Sequence, residues 1–222
     1  MTKKGPDSGK ALIDALIKGG EKSYKEFFHL SGSCWLQVAP EYFLTVHAAL
    51  ALRDFDRTFA LLEVSVDESR AEAGATRAGP AAKDERRNGR YDIVVYWADE
   101  FPRGAIEVKS SISSVDRARL EPDFVRLCKT LSANAASTFQ FAAFLFYASV
   151  SEPKENSKQN SASQKLRELI ERTDDLAKET ATKQGVRRTL VTGAIHRGTE
   201  DDGAWCVSCI VFTKAGAEQS FR

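Results

Sequence analysis

The chain has 222 residues, of which 42% are hydrophobic and 28% are charged, and its formal net charge at pH 7 is +1. This composition is typical of one globular domain with a sizeable core, so residues 1–222 are predicted to form a single domain. The near-zero charge argues against tight binding of nucleic acid by the whole surface, but it is compatible with a local basic rim. No apolar run approaches the roughly 18 residues of a membrane span, and the N-terminus lacks a signal-peptide hydrophobic region, which predicts a cytoplasmic protein.

Zinc, disulfide and nucleotide-cofactor chemistry have little support in the sequence. The cysteines are too few and too scattered for a disulfide framework. Cys206 and Cys209 resemble half of a zinc site, but no second pair is present, and on a strand their thiols would point to opposite faces. The histidines do not have ligand spacing, and glycine-rich phosphate-binding motifs are absent.

The N-terminal part of the chain is predicted to be helical. Apolar periodicity predicts a first helix over residues 7–30, capped by Asp7 or Ser8. The pair Gly19 and Gly20 is expected to interrupt this helix, because glycine is unfavourable in a helix interior.

A second helix is predicted to begin at Pro40 and to run to about Leu52, because proline suits the first turn of a helix. Glu41 shares one face of this helix with Thr45 and Ala48, so we expect that Glu41 can face the sheet. The buried stripe is expected on a different face and consists of Phe43, Val46, Ala49 and Leu50.

Strands and a long loop are predicted to follow. The first strand covers residues 59–67, and residues 69–89 form a polar loop that ends in a turn signal. Runs of β-branched and aromatic residues predict two more strands over 90–97 and 104–110. The polar residues 98–103 between these two strands predict a hairpin.

Helices and strands are also predicted in the last half of the chain. Residues 121–133 are predicted as a helix with Phe124 and Leu127 facing inward and with Thr130 largely on another face. The continuous apolar run over 139–150 is typical of a central strand that is buried on both faces. A polar linker, an amphipathic helix and two terminal strands are then predicted at residues 151–163, 164–182, 189–196 and 205–214.

The residues with the clearest chemical meaning lie on the predicted hairpin. Asp92 stands near the start of its first strand, and Glu107 and Lys109 stand at the end of its second strand. Alternate residues of a strand share a face, so Glu107 and Lys109 point the same way while Val108 points into the core. Two carboxylates and an amine at the edge of a buried sheet suit a hard divalent cation, Mg²⁺ or Mn²⁺, and an activated water.

A purely structural interpretation of these charges is also open. Glu107 and Lys109 could form a solvated cross-strand pair, and Asp92 could cap the strand edge. The apolar residues around them favour central strands instead, and a charge on such a strand needs a partner or a metal.

The three charged residues resemble the signature of the PD-(D/E)XK nuclease superfamily, which has an Asp on one strand and a (D/E)-x-K triplet on the next. Asp92 matches the Asp, Glu107 matches the second acid and Lys109 matches the lysine, while Tyr91 replaces the proline. Many members also carry a Glu on a helix ahead of the first strand, and Glu41 is the best match for that residue.

The resemblance implies a restriction-endonuclease-like α/β fold, in which helices flank a mixed central sheet with the core order αβββαβ. It divides the single domain into an N-terminal helical extension over 1–37, a catalytic core over 38–150, and a C-terminal helix and strands over 151–222. The chain would thus add an N-terminal helix and C-terminal strands to the common core.

The resemblance also implies a metal-dependent endonuclease that hydrolyses phosphodiester bonds. Asp92, Glu107 and the carbonyl of Val108 are expected to bind Mg²⁺ or Mn²⁺. Lys109 is expected to orient or deprotonate the attacking water and to stabilise the negative charge that develops in the transition state. Glu41 is expected to add a ligand through water or to complete a second metal site.

The expected substrate is nucleic acid, and we predict DNA. Arg90, Arg126 and Lys129 are candidate contacts to its phosphates. The resemblance suggests a homodimer, and a larger complex is also open. The alternative hypothesis is a binding module on the same fold that is non-catalytic or active only with a partner, and that recognises nucleic acid or protein.

Overall fold

The computed structural model describes residues 8–75, 89–151, 161–198 and 203–216. The helices among these residues are α1 (Gly9–Leu30), α2 (Glu41–Leu50), α3 (Val66–Glu72), α4 (Arg117–Ser132) and α5 (Ala162–Gln184). The strands are β1 (Thr58–Ser65), β2 (Arg90–Trp97), β3 (Pro102–Ile112), β4 (Phe141–Ser151), β5 (Arg187–Thr192), β6 (His196–Arg197) and β7 (Gly203–Thr213). The predicted cap Asp7, most of the predicted loop and most of the predicted linker lie outside the described residues.

All the strands belong to one open, mixed sheet with the order β1-β2-β3-β4-β7-β5, and β6 pairs with β7 at the side of this path. The β3–β4 pair is parallel, and the other pairs of described strands are antiparallel. This arrangement confirms the predicted α/β class and the predicted hairpin of β2 and β3. Because β7 pairs with β4 from Phe141–Thr213 to Ser151–Gly203, the C-terminal strands are part of the central sheet.

The two faces of the sheet are covered by different helices. Leu16 of α1 and Leu44 of α2 pack with Ile106 and Val108 in one hydrophobic cluster. α4 and α5 pack in the other cluster, on the opposite face. The central strand β4 contributes side chains to both clusters, as its unbroken apolar sequence predicted.

The element order from α2 to β4 contains an additional helix that was not predicted from the sequence. Residues Val66–Glu72 form α3, so the first strand ends earlier than predicted and the loop begins later. The Ser65 hydroxyl accepts a hydrogen bond from the Glu68 amide at 3.4 Å and caps the helix. With this helix inserted, the described elements follow the predicted order of helix, three strands, helix and strand.

The predicted interruption of α1 at Gly19 and Gly20 is wrong, because the helix is continuous. A Cβ atom at Gly19 would lie 2.6 Å from the His47 carbonyl oxygen of α2. A Cβ atom at Gly20 would lie 2.7 Å from a Val207 methyl group of β7. These glycines therefore permit close packing of α1 against α2 and the sheet, and the packing offsets their low helix propensity.

The buried stripe of α2 also differs from the prediction. Leu44, Thr45 and Ala48 are its buried residues, whereas Leu50 is 49% exposed. The buried stripe thus adjoins the face that carries Glu41, and small side chains on it suit the close contact with α1. The expectation that Glu41 faces the sheet is confirmed, since its carboxylate contacts the backbone of β3.

None of the helices among the described residues is long and apolar enough to cross a membrane.

Candidate functional site

The central sheet opens between β2 and β3 at the predicted site. Among the described residues, the ladder between these strands runs to Ile93 and Ile106 and ends there. Beyond that point β2 remains paired with β1, and β3 remains paired with β4 through Glu107 and Lys109. The two halves of the sheet therefore diverge where the predicted functional residues lie.

Two carboxylates occupy the gap and accept hydrogen bonds from β3 amides that no longer pair with β2. Asp92 Oδ2 accepts a hydrogen bond from the Val108 amide at 2.6 Å. Glu41 Oε2 accepts one from the Ser110 amide at 3.0 Å. Backbone N–H groups of alternate residues point to the same edge of a strand, so both carboxylates lie along the opened edge of β3. Asp92 thus contacts the residue before Lys109, and Glu41 contacts the residue after it.

Glu107 lies deeper than the other acids of the site. The residue is 5% exposed, and its Oε2 atom is 2.7 Å from a guanidinium nitrogen of Arg126 on α4. Its second oxygen, Oε1, is buried and has no hydrogen-bond partner in the described part of the chain. A buried carboxylate oxygen without a partner is costly, and a bound cation or water would relieve that cost.

Lys109 is held from two directions. Its Nζ atom is 3.6 Å from Glu41 Oε1 and 3.7 Å from Asp123 Oδ2. α2 and α4, which carry these acids, cover opposite faces of the sheet. The amine therefore lies at the end of the sheet, where side chains from both helix layers can reach it.

Asp123 links the two cations of the site. Its Oδ1 atom is 2.9 Å from the same Arg126 nitrogen that contacts Glu107, and its Oδ2 atom faces Lys109. The resulting chain of ion pairs runs from Glu107 through Arg126, Asp123 and Lys109 to Glu41. Most of these side chains are largely buried, so salt screens their interactions less than it screens surface pairs.

The carboxyl group of Asp92 is unusually basic. Burial raises the pKa of Asp92 to about 6, and the negative charges of Glu41 and Glu63 act in the same direction. The hydrogen bond from Val108 and the charge of Lys109 oppose this effect. A cation near Asp92 would lower the pKa of its carboxyl group, because a nearby positive charge stabilises the ionised form that burial destabilises.

Glu107 and Arg126 are electrostatically coupled. Burial raises the pKa of Glu107 well above its usual range, and the charges of Asp92 and Asp123 add to that effect, whereas Arg126 opposes it. Burial tends to lower the pKa of Arg126, but the charges of Glu107 and Asp123 raise it overall. Arg126 is therefore a permanent positive charge beside a carboxylate that is difficult to ionise.

The predicted metal ligands are of the chemical type that hard cations prefer. Asp92, the unpartnered Oε1 of Glu107 and the Val108 carbonyl are all oxygen donors, as Mg²⁺ and Mn²⁺ prefer. Within the described ranges, no group of three or more His, Cys, Asp or Glu residues is placed to hold a metal ion. Binding of Mg²⁺ or Mn²⁺ by these residues stays a prediction.

The structure joins Glu41, Glu107 and Lys109 in one chain of ion pairs and places Asp92 beside them on the Val108 amide. The three predicted basic contacts lie in different surroundings. Arg126 is engaged by two carboxylates, and its side chain is 17% exposed. Arg90 is exposed at the start of β2, and Lys129 is partly buried on α4. A role for these three residues in binding nucleic acid stays a prediction.

The residues that fix α4 beside the site were not predicted from the sequence. Thr130, expected on another face, is fully buried, and its hydroxyl donates to the Arg126 carbonyl at 2.9 Å. The same hydroxyl is hydrogen-bonded to the hydroxyl of Tyr91, the residue before Asp92. Asp123 was also missed, although its position three residues before Arg126 is a spacing typical of helix ion pairs.

The chain matches no family model, no curated protein and no solved structure. The described residues define an α/β protein with an open, mixed seven-stranded sheet. A function has to be inferred from the chemistry of the side chains at the open end of that sheet, because a fold alone does not specify a function.

Proposed function

We propose that this protein is a divalent-metal-dependent nuclease that hydrolyses phosphodiester bonds, with DNA as the expected substrate. Its fold would be a restriction-endonuclease-like fold of the PD-(D/E)XK type. The observation that carries the proposal is the buried Glu107, whose Oε1 atom has no partner among the described residues. The charge of Asp92 acts on Glu107, and Asp123 contacts both Lys109 and the Arg126 nitrogen that pairs with Glu107.

The residues of β2 and β3 at the open end of the sheet would have distinct roles. Asp92, Glu107 and the Val108 carbonyl would hold Mg²⁺ or Mn²⁺. When bound, such an ion supplies Lewis-acid stabilisation of the phosphate charge and lowers the pKa of a coordinated water. Through the ion, the three oxygen donors would also help to orient the scissile phosphate, because Mg²⁺ that is held by few protein ligands also binds substrate phosphates.

Lys109 can donate hydrogen bonds but cannot accept them while it is charged. Its amine would orient the attacking water and stabilise the negative charge that develops on the phosphate. The carboxylates of Glu41 and Asp123 limit the positions of the amine, so the group is organised before substrate binds.

The contacts of Glu41 support an indirect role. One oxygen accepts from the Ser110 amide and the other faces Lys109. We therefore assign Glu41 to the orientation of Lys109, with a water-mediated contact to the ion as its second role.

One observation favours the alternative of a non-catalytic or partner-dependent binding module. Arg126 already places a positive charge beside Glu107, and a buried carboxylate paired in this way does not require a metal to be tolerated. The hydrogen bonds that Asp92 and Glu41 accept from β3 likewise have a structural use. The second, unpartnered oxygen of Glu107 is the feature that this alternative leaves unexplained.

The proposal is tested by incubating the protein with plasmid, linear duplex DNA, single-stranded DNA and RNA in Mg²⁺, Mn²⁺ or EDTA. Glu107→Gln and Lys109→Met each remove one charge with little change of shape, and each is expected to lower the cleavage rate about 100-fold or more. Glu121→Gln, at a partly exposed acid of α4 that pairs with Arg117 and Lys183, is the matched control and should cleave like the wild type.

Metal-dependent cleavage that both variants lose would support the nuclease and its site. Cleavage of no substrate by a folded wild-type protein would favour the binding module. Cleavage that survives both substitutions would contradict the assignment of Glu107 and Lys109.

A further inference from the structure

We propose that Asp123 and Arg126 of α4 are positioning residues that hold Lys109 and Glu107 in their working orientations, an inference that rests on the proposed nuclease function. Neither residue belongs to β2 or β3, which supply the other central groups of the site. Both act through the side chains that they contact.

Arg126 contacts only one of the two carboxylate oxygens of Glu107. The guanidinium contacts Oε2 at 2.7 Å, and Oε1 remains without a partner among the described residues. A carboxylate that is held at one oxygen presents the other oxygen in a defined direction. Arg126 therefore orients Glu107 toward a cation and does not compete for the oxygen that the cation would use.

Asp123 distributes its two oxygens between two cations. Oδ1 is 2.9 Å from the Arg126 nitrogen, and Oδ2 is 3.7 Å from the Lys109 amine. Because Asp123 and Arg126 are three residues apart on a helix, the backbone itself sets their spacing. The pair thus couples the position of Lys109 to that of Glu107.

The turn of α4 that carries Arg126 is anchored to β2. The Arg126 carbonyl accepts hydrogen bonds from Thr130 at 2.9 Å and from Arg70 at 3.4 Å. The Thr130 hydroxyl in turn is bonded to Tyr91, which precedes Asp92. This anchoring fixes the positioning pair relative to β2, the strand that carries Asp92.

The two residues should differ in what they control. Asp123→Asn keeps the shape of the side chain and an Oδ1 atom that can accept from Arg126, but it replaces the Oδ2 atom that faces Lys109 with a donor. We expect kcat to fall about 10- to 100-fold, with KM and Mn²⁺ affinity within about threefold of the wild type. Arg126→Gln releases Glu107, and we expect Mn²⁺ affinity and kcat both to fall about 10- to 100-fold.

Conservative variants and matched controls separate positioning from folding. Asp123→Glu and Arg126→Lys retain the charges, so each should recover part of the activity that Asp123→Asn or Arg126→Gln loses. Glu121→Gln and Arg117→Gln alter exposed or partly exposed ion pairs on the same helix and should leave both readouts unchanged.

The experiment measures kcat, KM and Mn²⁺ dissociation constants for the wild type and these variants, with thermal unfolding as the folding check. The inference is overturned if the wild type is active and Asp123→Asn and Arg126→Gln behave like the two controls. It is also overturned if the conservative variants fold but recover nothing. A wild type that neither cleaves nucleic acid nor binds Mn²⁺ would instead refute the proposed function and, with it, this inference.

Discussion

Glu107 and Arg126 form a buried ion pair in which the guanidinium engages one of the two carboxylate oxygens. Glu107 lies on a central strand and Arg126 on the helix that covers it, so the pair joins the sheet to one of its helix layers. The attraction across such a pair opposes the cost of removing both charges from water. The local stability of the site therefore depends on both members being present.

Removal of one member of this pair should destabilise the protein more than removal of both. Arg126→Met leaves Glu107 without its cation, and we expect the free energy of unfolding at pH 7 to fall by roughly 3 kcal/mol. In the Arg126→Met background, Glu107→Gln should recover most of that loss, because it removes the buried ionisable carboxyl group that Arg126 no longer compensates. Urea unfolding of the four proteins in the double-mutant cycle measures the coupling.

Arg117→Met is the control for this cycle, since it removes an exposed ion pair of the same helix and should cost less than about 1 kcal/mol. Additive effects of Arg126→Met and Glu107→Gln would show that the two side chains do not interact as the structure indicates.

Asp92 should make the stability of the metal-free protein depend on pH. Its pKa in the folded protein is raised from 3.8 to about 6, chiefly by burial, so the folded state binds its proton more tightly than the unfolded state does. The stability that this proton contributes is complete below about pH 4 and is lost as the pH rises through 6. Asp92→Asn removes this dependence and should stabilise the protein at pH 7 by on the order of 2 kcal/mol.

Urea unfolding of the wild type and Asp92→Asn in EDTA at several values between pH 4 and pH 7 tests this prediction. The difference between the two proteins should be small at pH 4 and should grow toward pH 7. Asp54→Asn, at a side chain that is 78% exposed, should show no such growth. A constant difference across the range would mean that burial does not perturb Asp92.

Gly19 should not tolerate a side chain, although alanine is normally the better helix former. A Cβ atom at this position would lie 2.6 Å from the His47 carbonyl oxygen and 2.9 Å from the Ala51 Cβ atom. Overpacking is expected to cost about 1–3 kcal/mol, and helix propensity returns up to about 1 kcal/mol. Gly19→Ala should therefore lower the free energy of unfolding by about 1–2 kcal/mol. Thermal or urea unfolding measures the change, with Lys25→Ala at an exposed position of α1 as the control. Equal or higher stability of Gly19→Ala would contradict the close contact between α1 and α2.

The sequence predicted the site best where the signal is local. Alternation along β3 put Glu107 and Lys109 on one face, and both contact α4 in the structure. Helical periodicity also predicted that Glu41 faces the sheet, and its carboxylate contacts the backbone of β3. These predictions depend on a few neighbouring residues whose geometry the backbone fixes.

Long-range packing accounts for most of what was missed. The contact of Gly19 with α2 and the pairing of β7 with β4 bring together segments that are distant in the sequence, and no local pattern encodes them. The role of Asp123 depends in the same way on how α4 crosses β3. α3 is different, because Ser65 and Glu68 have the spacing of a capping box, a local signal that could have predicted the helix.

The most direct test of the central claim is a Mn²⁺ binding measurement by electron paramagnetic resonance, in the presence of a short DNA duplex. We predict a bound Mn²⁺ in the wild type and in Asp54→Asn, and a loss of affinity of at least about 10-fold in Asp92→Asn and in Glu107→Gln. Mn²⁺ binding that is absent from the wild type, or that is unchanged in both site variants, would contradict a metal-dependent site at the open end of the sheet.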